Sequence, residues 1–146
     1  MVPLVPVKAQ AGYSKAYSSI DFIGQLEVYP IVPGIDHRGA IWRYFQVDGD
    51  SMVNTFTDGD YVLASQVPRE DWDDLKDWLV YVIVTADKVL IKRVTRYKDR
   101  NLWVLTSDNE RYKQFTIPVA EVLELWKYRR HISWNAAPPK KFEIKL

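Results

Sequence analysis

The stretch Val47-Asp48-Gly49-Asp50-Ser51-Met52, closed by Asp58-Gly59-Asp60, decides how the rest of this sequence is interpreted. It places Ser51 directly after a tight turn rich in glycine and aspartate, the residue types that turns favour. A second stretch, Lys88-Val89-Leu90-Ile91-Lys92-Arg93-Val94, is typical of a β-strand. Because side chains alternate between the faces of a strand, Lys92 lies between two apolar neighbours on its own face, Leu90 and Val94.

Apolar surroundings would change the chemistry of Lys92. Burial disfavours the ammonium form and lowers the pKa of a lysine, so its amine can be neutral near pH 7. A neutral lysine can take the proton from a serine hydroxyl, which is a weak nucleophile without a neighbouring base. The alternative is that Lys92 extends to the surface and Ser51 only ends a turn.

The residues after Ser51 are candidates for a further part of such a site. Residues 52–56 are predicted to form a single helical turn, and the first N–H groups of such a turn lack partners within it. The backbone N–H groups of Ser51 and Met52 are therefore the candidate oxyanion hole, because donors aimed at a developing negative charge stabilise a transition state.

Three motifs together resemble the self-cleaving LexA/UmuD family and the related phage repressors. They are Val-Asp-Gly-Asp-Ser-Met at 47–52, Asp-Gly-Asp-Tyr-Val-Leu at 58–63 and Val-Leu-Ile-Lys-Arg-Val at 89–94. That family has a Ser–Lys dyad in which methionine follows the serine and arginine commonly follows the lysine. Ser51 and Lys92 occupy these positions, 41 residues apart, and the resemblance extends over residues 4–134.

The resemblance implies a mostly β, LexA-like peptidase fold of mixed, mainly antiparallel strands with one or two short helices. It implies Ser51 as the nucleophile, Lys92 as the general base, and no cofactor. It also divides the chain into an N-terminal arm with a cleavage loop at 1–19, a peptidase and dimerisation domain at 20–134, and a tail at 135–146.

The resemblance also implies a cleavage site. Members of that family cut themselves at an Ala-Gly bond upstream of the serine, and Ala11-Gly12 is the only such pair before Ser51. Pro3 and Pro6 disfavour a helix, so we expect residues 5–9 to be extended and residues 11–13 to form a loop.

Composition excludes several kinds of site. A chain of 146 residues is long enough for one domain with a substantial core. It has no cysteine, which excludes disulfide frameworks and thiolate metal sites. The absence of cysteine also fits a reducing compartment. A net charge of +1 gives no strong electrostatic footprint for nucleic acid. Since no apolar run approaches ~18 residues and no signal-peptide pattern is present, we expect a cytoplasmic protein without a membrane anchor.

Two other site chemistries remain open. A Ser–His triad would need His37 or His131, neither of which lies in a metal-ligand pattern. Four aspartates near Ser51 could hold a metal: Asp48, Asp50, Asp58 and Asp60. The preference of aspartate for turns explains them more simply, so we expect no metal.

The remaining chain is predicted to be mostly strands. Alternating or continuous apolar residues indicate strands at 40–47, 61–65, 79–85, 102–106 and 122–134. Short helices are predicted within 17–26 and after Pro68. The terminal strand, 122–134, carries bulky residues that need covering, so we expect a homodimer in which it pairs with a second copy. The alternative is that Trp126 and Ile132 pack in the core of the monomer.

The resemblance implies the C-terminal domain of a transcriptional repressor that self-cleavage inactivates. DNA would be bound only through an N-terminal helix-turn-helix domain, and these 146 residues contain no such pattern. Cleavage of the Ala11-Gly12 bond would separate that domain from the dimerising body. The co-protease that the resemblance implies is a RecA-type filament, although the sequence does not identify the trigger.

Other functions remain open. A UmuD-type polymerase accessory protein would lose only a short N-terminal arm. Type I signal peptidases share the Ser-Met and Lys-Arg arrangement but need a membrane anchor. A GDSL-type esterase would start with Gly49-Asp50-Ser51 and need Asp-x-x-His, which neither histidine provides. A sensor or dimerisation module could keep the same fold without cutting.

Overall fold

The computed structural model describes residues 1–16, 20–98, 101–134 and 143–146. The described strands are β1 (Val2–Val5), β2 (Val28–Tyr29), β3 (Trp42–Gln46), β4 (Tyr61–Gln66), β5 (Leu79–Val84), β6 (Val89–Arg96), β7 (Leu102–Thr106), β8 (Phe115–Pro118) and β9 (Glu124–Ile132). Helices α1 (Gln10–Ala16) and α2 (Ile20–Gly24) lie near the N-terminus, and short 3-10 helices span Val7–Ala9, Arg69–Asp74 and Val119–Glu121. The first residues of the predicted 17–26 helix, and most of the tail, lie outside the described residues.

All these strands belong to one sheet in the order β2-β1-β3-β4-β9-β5-β6-β7-β8. Strands β1 and β3 are parallel, and the other neighbouring pairs are antiparallel. Few and short helices accompany the sheet. The predicted class, a mostly β fold with mixed and mainly antiparallel strands, is therefore confirmed.

The core on one face of the sheet fixes the segment that follows Ser51. Met52 and Phe56 are buried against Phe45, Val62 and Trp126, which project from three neighbouring strands. Burial of apolar surface is the dominant favourable term in folding. The turn that carries Ser51 is therefore attached to the sheet by its own side chains.

The N-terminal segment differs from the extended arm and loop that the sequence predicts. Only Val2–Val5 is a strand; Val7–Ala9 is a 3-10 helix, and Ala11 and Gly12 lie inside α1. Pro6 precedes the helical turn at its N-cap, where proline is compatible with a helix. The expectation for residues 5–9 and 11–13 was wrong because Tyr13, which is fully buried, anchors α1 in the core.

The terminal strand also lies elsewhere than expected. β9 is not an edge strand, since β4 pairs with it from Trp126 to Ile132 and β5 pairs with it from Glu124 to Lys127. The strand is covered largely within its own chain, and Trp126 is fully buried. β9 therefore needs no second copy to cover it, contrary to the expectation from sequence, and the homodimer itself stays a prediction.

Candidate active site

Backbone hydrogen bonds close the loop that contains Ser51. The N–H of Val47 donates to the Asp60 carbonyl at 2.8 Å, and the N–H of Gly59 donates to the Val47 carbonyl at 2.9 Å. Gly49 has a φ of 83°, in the left-handed region that favours glycine, and its N–H donates to Asp58 Oδ1 at 2.8 Å. The sequence of glycines and aspartates thus folds locally into a closed loop that presents Ser51.

The neighbouring aspartates are used as hydrogen-bond acceptors in and around this loop. Asp60 is buried and accepts two hydrogen bonds from Thr57, one from the backbone N–H at 2.9 Å and one from the side-chain hydroxyl at 2.8 Å. Asp50 accepts from the hydroxyl of Tyr112. Over residues 1–16, 20–98, 101–134 and 143–146, no group of three or more His, Cys, Asp or Glu side chains could hold a metal ion.

Strand β6 brings Lys92 to this serine. Lys92 Nζ lies 2.9 Å from Ser51 Oγ and donates to Ser107 Oγ at 2.8 Å. The lysine is only 8 % exposed, and burial lowers the pKa of its amine because the ammonium form loses hydration. The two residues selected from the sequence are therefore in hydrogen-bond contact, and the amine is biased toward its neutral form.

Ser107 is a site residue that sequence reasoning missed. It follows β7 directly, and the register pairs Thr106 of β7 with Arg93 of β6. The residue after Thr106 therefore comes beside Lys92. No local pattern marks this serine, because its position depends on how two strands align.

The loop after Ser107 holds the serine turn. The N–H of Asn109 donates to the Ser51 carbonyl at 3.0 Å, and its side-chain amide donates to the Asp50 carbonyl at 3.1 Å. These two bonds hold the carbonyl groups of Asp50 and Ser51, one before and one after the Ser51 nitrogen. The loop after Ser107 therefore helps to position the Ser51 hydroxyl.

An ion pair connects the same loop to β6. Arg93 binds Asp108 through two hydrogen bonds, of 2.6 and 3.1 Å, and Thr55 donates its hydroxyl to the same carboxylate. Burial alone would raise the pKa of Asp108, but the hydrogen bonds from Arg93 and Thr55 hold that pKa below its usual value. The charged carboxylate thus connects the serine turn, the loop and the lysine strand.

The candidate oxyanion hole remains available in this arrangement. The predicted helical turn is present in part, as a turn in which the N–H of Phe56 donates to the Met52 carbonyl at 2.9 Å. Within the part of the chain that the structure describes, the N–H groups of Ser51 and Met52 donate no hydrogen bond. Both are free to bind an oxyanion that forms beside Ser51.

A cleft of about 180 Å³ lies beside the dyad. Residues 46–48 and residues 89–92 line this cleft, together with Ser51, Met52 and Gln10. β6 pairs with β7 only from Arg93 onward, so residues 89–91 present a backbone edge that β7 does not cover. An extended peptide can pair with such an edge and place a carbonyl at Ser51.

The predicted cleavage site lies near this cleft in a different conformation. Gln10 lines the cleft, and its side-chain amide donates to the Gln46 carbonyl at 2.7 Å. The next two residues, Ala11 and Gly12, are helical. The structure thus brings the segment to the site without presenting its peptide bond to the nucleophile.

Neither histidine is part of the site. The hydrogen bond of His131 is to the Tyr128 hydroxyl, at 2.8 Å from Nδ1, and its ring packs against Phe56. Among the hydrogen bonds of the described residues, none joins Ser51 to His37 or His131. The described helices also include none that is long and apolar enough to cross a bilayer.

A serine hydroxyl beside a buried lysine amine, next to an open strand edge, is the arrangement that a Ser–Lys hydrolase requires. Comparison with known families matches residues 3–126 to the Peptidase S24-like family. Because the match covers most of the chain, this chain belongs to that family, the LexA/UmuD-type peptidase domains. The family is one of serine peptidases. A search of the curated proteins found no significant match.

Proposed function

We propose that this chain is a Ser–Lys peptidase that cuts its own Ala11-Gly12 bond. The observation that carries the proposal is the 2.9 Å distance between Lys92 Nζ and Ser51 Oγ, with the amine buried. A general base must lie within hydrogen-bond reach of the proton that it removes, and a lowered pKa provides the neutral amine. The serine of the dyad is the nucleophile.

The reaction would proceed in two balanced steps. Neutral Lys92 takes the Ser51 hydroxyl proton while Oγ bonds to the Ala11 carbonyl carbon, and the N–H groups of Ser51 and Met52 bind the oxyanion. The C–N bond to Gly12 breaks, and the Lys92 ammonium gives its proton to the leaving amine. Water, deprotonated by Lys92, then attacks the Ser51 ester; the ester C–O bond breaks, the Ala11 carboxyl group is released, and the Lys92 ammonium returns the proton to Ser51 Oγ.

Mass spectrometry of purified protein held at neutral and at alkaline pH tests this function. The expected products are residues 1–11 and residues 12–146. Ser51→Ala should abolish their formation and leave thermal stability nearly unchanged, since it removes one half-buried hydroxyl. Ser133→Ala, which removes an exposed hydroxyl outside the cleft, is the control and should still cut. If Ser51→Ala still cuts itself, or if the masses identify another bond, the assignment is wrong.

The biological role that fits this chemistry is that of a LexA-like or phage-repressor-like regulator that self-cleavage inactivates. Family membership supports this role, and a RecA-type filament is the co-protease that we propose as its trigger. We also propose that the domain works as a homodimer. Light scattering at high micromolar concentration tests the dimer, and a monomeric mass would remove it from the proposal.

A second function has one specific observation in its favour. Ala11 and Gly12 are helical, and a helical peptide bond cannot be attacked in the cleft. A dimerisation or sensor module that keeps the fold without cutting would leave the chain intact at every pH, with Ser51→Ala indistinguishable from the unaltered protein.

A further inference from the structure

Two contacts hold the Ala11-Gly12 bond, one on each side of it. On the upstream side, Gln46 accepts from the Gln10 side-chain amide through its carbonyl, at 2.7 Å, and from the Val7 N–H through Oε1, at 3.0 Å. Gln46 lines the cleft beside Ser51. This contact therefore keeps the segment at the active site.

On the downstream side, Tyr13 is anchored in the core. It is fully buried, its hydroxyl donates to Glu124 Oε1, and its ring packs edge-on against Phe45 with centroids 5.8 Å apart. Glu124 accepts a second hydrogen bond, from Trp126 Nε1 at 3.0 Å. Glu124 is itself buried, and this burial raises the pKa of its carboxyl. The proposed peptidase mechanism uses none of these groups.

Cleavage requires the Tyr13 contact to break but does not require the Gln10 contact to break. A helical backbone must become extended before its carbonyl can lie against a strand edge and face a nucleophile. Because Tyr13 follows Gly12 directly, extending the backbone on the leaving side of the bond moves the Tyr13 ring out of its core position. The Gln10 contact lies on the other side of the bond and at the cleft, so it can persist while α1 opens.

We propose that Tyr13 and Glu124 are positioning residues that hold Ala11-Gly12 in helical form, whereas Gln10 and Gln46 retain the same segment at the cleft. This inference rests on the proposed self-cleavage. It gives the two contacts opposite effects. Loss of the Tyr13 contact speeds cleavage, and loss of the Gln10 contact slows it.

Hydrogen exchange in a Ser51→Ala background measures the first contact without any cleavage. Tyr13→Phe should speed exchange of the α1 amides by about ten-fold, the factor that corresponds to about 1.4 kcal/mol for one buried hydrogen bond. Glu124→Leu should act in the same way, and Glu124→Gln, which keeps an oxygen acceptor, should act less. Tyr97→Phe, at a half-exposed tyrosine far along the chain, is the matched control and should change nothing.

Cleavage rates with Ser51 present give the second measurement. Tyr13→Phe should cut about ten-fold faster, at the same bond and with the same pH profile, and Gln10→Ala should cut more slowly. If the chain never cuts although Tyr13→Phe speeds exchange of the α1 amides, the proposed self-cleavage is wrong and the positioning contact is not. Failure of the proposed function and failure of this inference are therefore distinguishable. The inference is overturned if α1 exchange is unchanged in Tyr13→Phe, if exchange rises uniformly across the sheet, or if Tyr13→Phe cuts more slowly.

Discussion

At the scale of single residues, the surroundings of the Lys92 amine set the protonation state that the chemistry needs. The amine contacts the hydroxyls of Ser51 and Ser107, and burial lowers its pKa. Both hydroxyls can accept hydrogen bonds from an ammonium group, but neither supplies a negative charge that would stabilise it. A neutral amine is therefore accessible at a lower pH than for a lysine in water.

Cleavage should speed up as pH rises and level off above the folded-state pKa of Lys92, because only the neutral amine is a base. Lys92→Arg should be inactive, since a guanidinium stays protonated throughout the accessible range. Lys92→Met should also be inactive and fold well, because it keeps an apolar stem and removes a buried polar amine. Gels at several pH values and two protein concentrations measure fragment formation, with a half-time that is independent of concentration.

Ser107→Ala separates the base from its support in the same experiment. It removes one partner of the amine and should lower the plateau by about ten-fold, the effect of one lost hydrogen bond, while cleavage still rises with pH. A rate that falls between about pH 7 and about pH 10 in folded protein would exclude Lys92 as the base. An active Lys92→Arg variant would exclude it too.

The contact between Ser51 and Lys92 could be predicted from sequence, whereas the residues that support it could not. Ser51 stands after a local turn motif, and Lys92 stands between apolar residues of a strand, so both carry a signal in their own neighbourhood. Ser107 contacts Lys92 only because of the β6 and β7 register. Tyr13 and Glu124 are 111 residues apart, and nothing near either residue indicates the contact.

At the scale of elements, strands with a strong apolar pattern were predicted well. The predictions for 40–47, 79–85 and 102–106 match β3, β5 and β7 to within about two residues at each end. β8 was missed because Phe115–Pro118 is short and contains proline. α1 was mistaken for a loop because its stability comes from Tyr13 in the core, a tertiary contact that outweighs weak local preference.

Ala11→Arg should prevent self-cleavage without disturbing α1. Ala11 is exposed on the helix, but the arginine side chain would have to enter a cleft of only about 180 Å³ when the bond is presented. We expect the rate to fall by at least about ten-fold, with unchanged thermal stability and circular dichroism. Gly12 is a poorer position for this test, since even a Cβ there would lie 3.1 Å from the Phe22 ring.

Lys15→Ala serves as the control for that substitution, because Lys15 is exposed on the same helix and should tolerate the change. If Ala11→Arg cuts at the usual rate and gives the same fragment masses, then Ala11 does not enter the cleft and the proposed bond is wrong.

At the scale of the whole molecule, the site is assembled from segments far apart in the chain. Ser51, the proposed nucleophile, lies between β3 and β4; Lys92, the proposed base, lies on β6; and the supporting loop lies between β7 and β8. The sheet that aligns them also includes β1, which lies between β2 and β3 with Leu4 and Val5 almost fully buried. The sequence predicts most of these strands but not their order, which depends on pairing between distant residues.

The place of β1 means that breaking the Ala11-Gly12 bond does not in itself release anything. The smaller product, residues 1–11, would still be a strand hydrogen-bonded between two others, with the Leu4 N–H donating to the Glu27 carbonyl at 2.9 Å. A denaturing gel should show two pieces where a sizing column still elutes one nicked particle. Bond cleavage and dissociation of the N-terminal fragment are then separate events. The rate at which β1 dissociates from the sheet sets the lifetime of the nicked particle, and this lifetime is a delay between the two events.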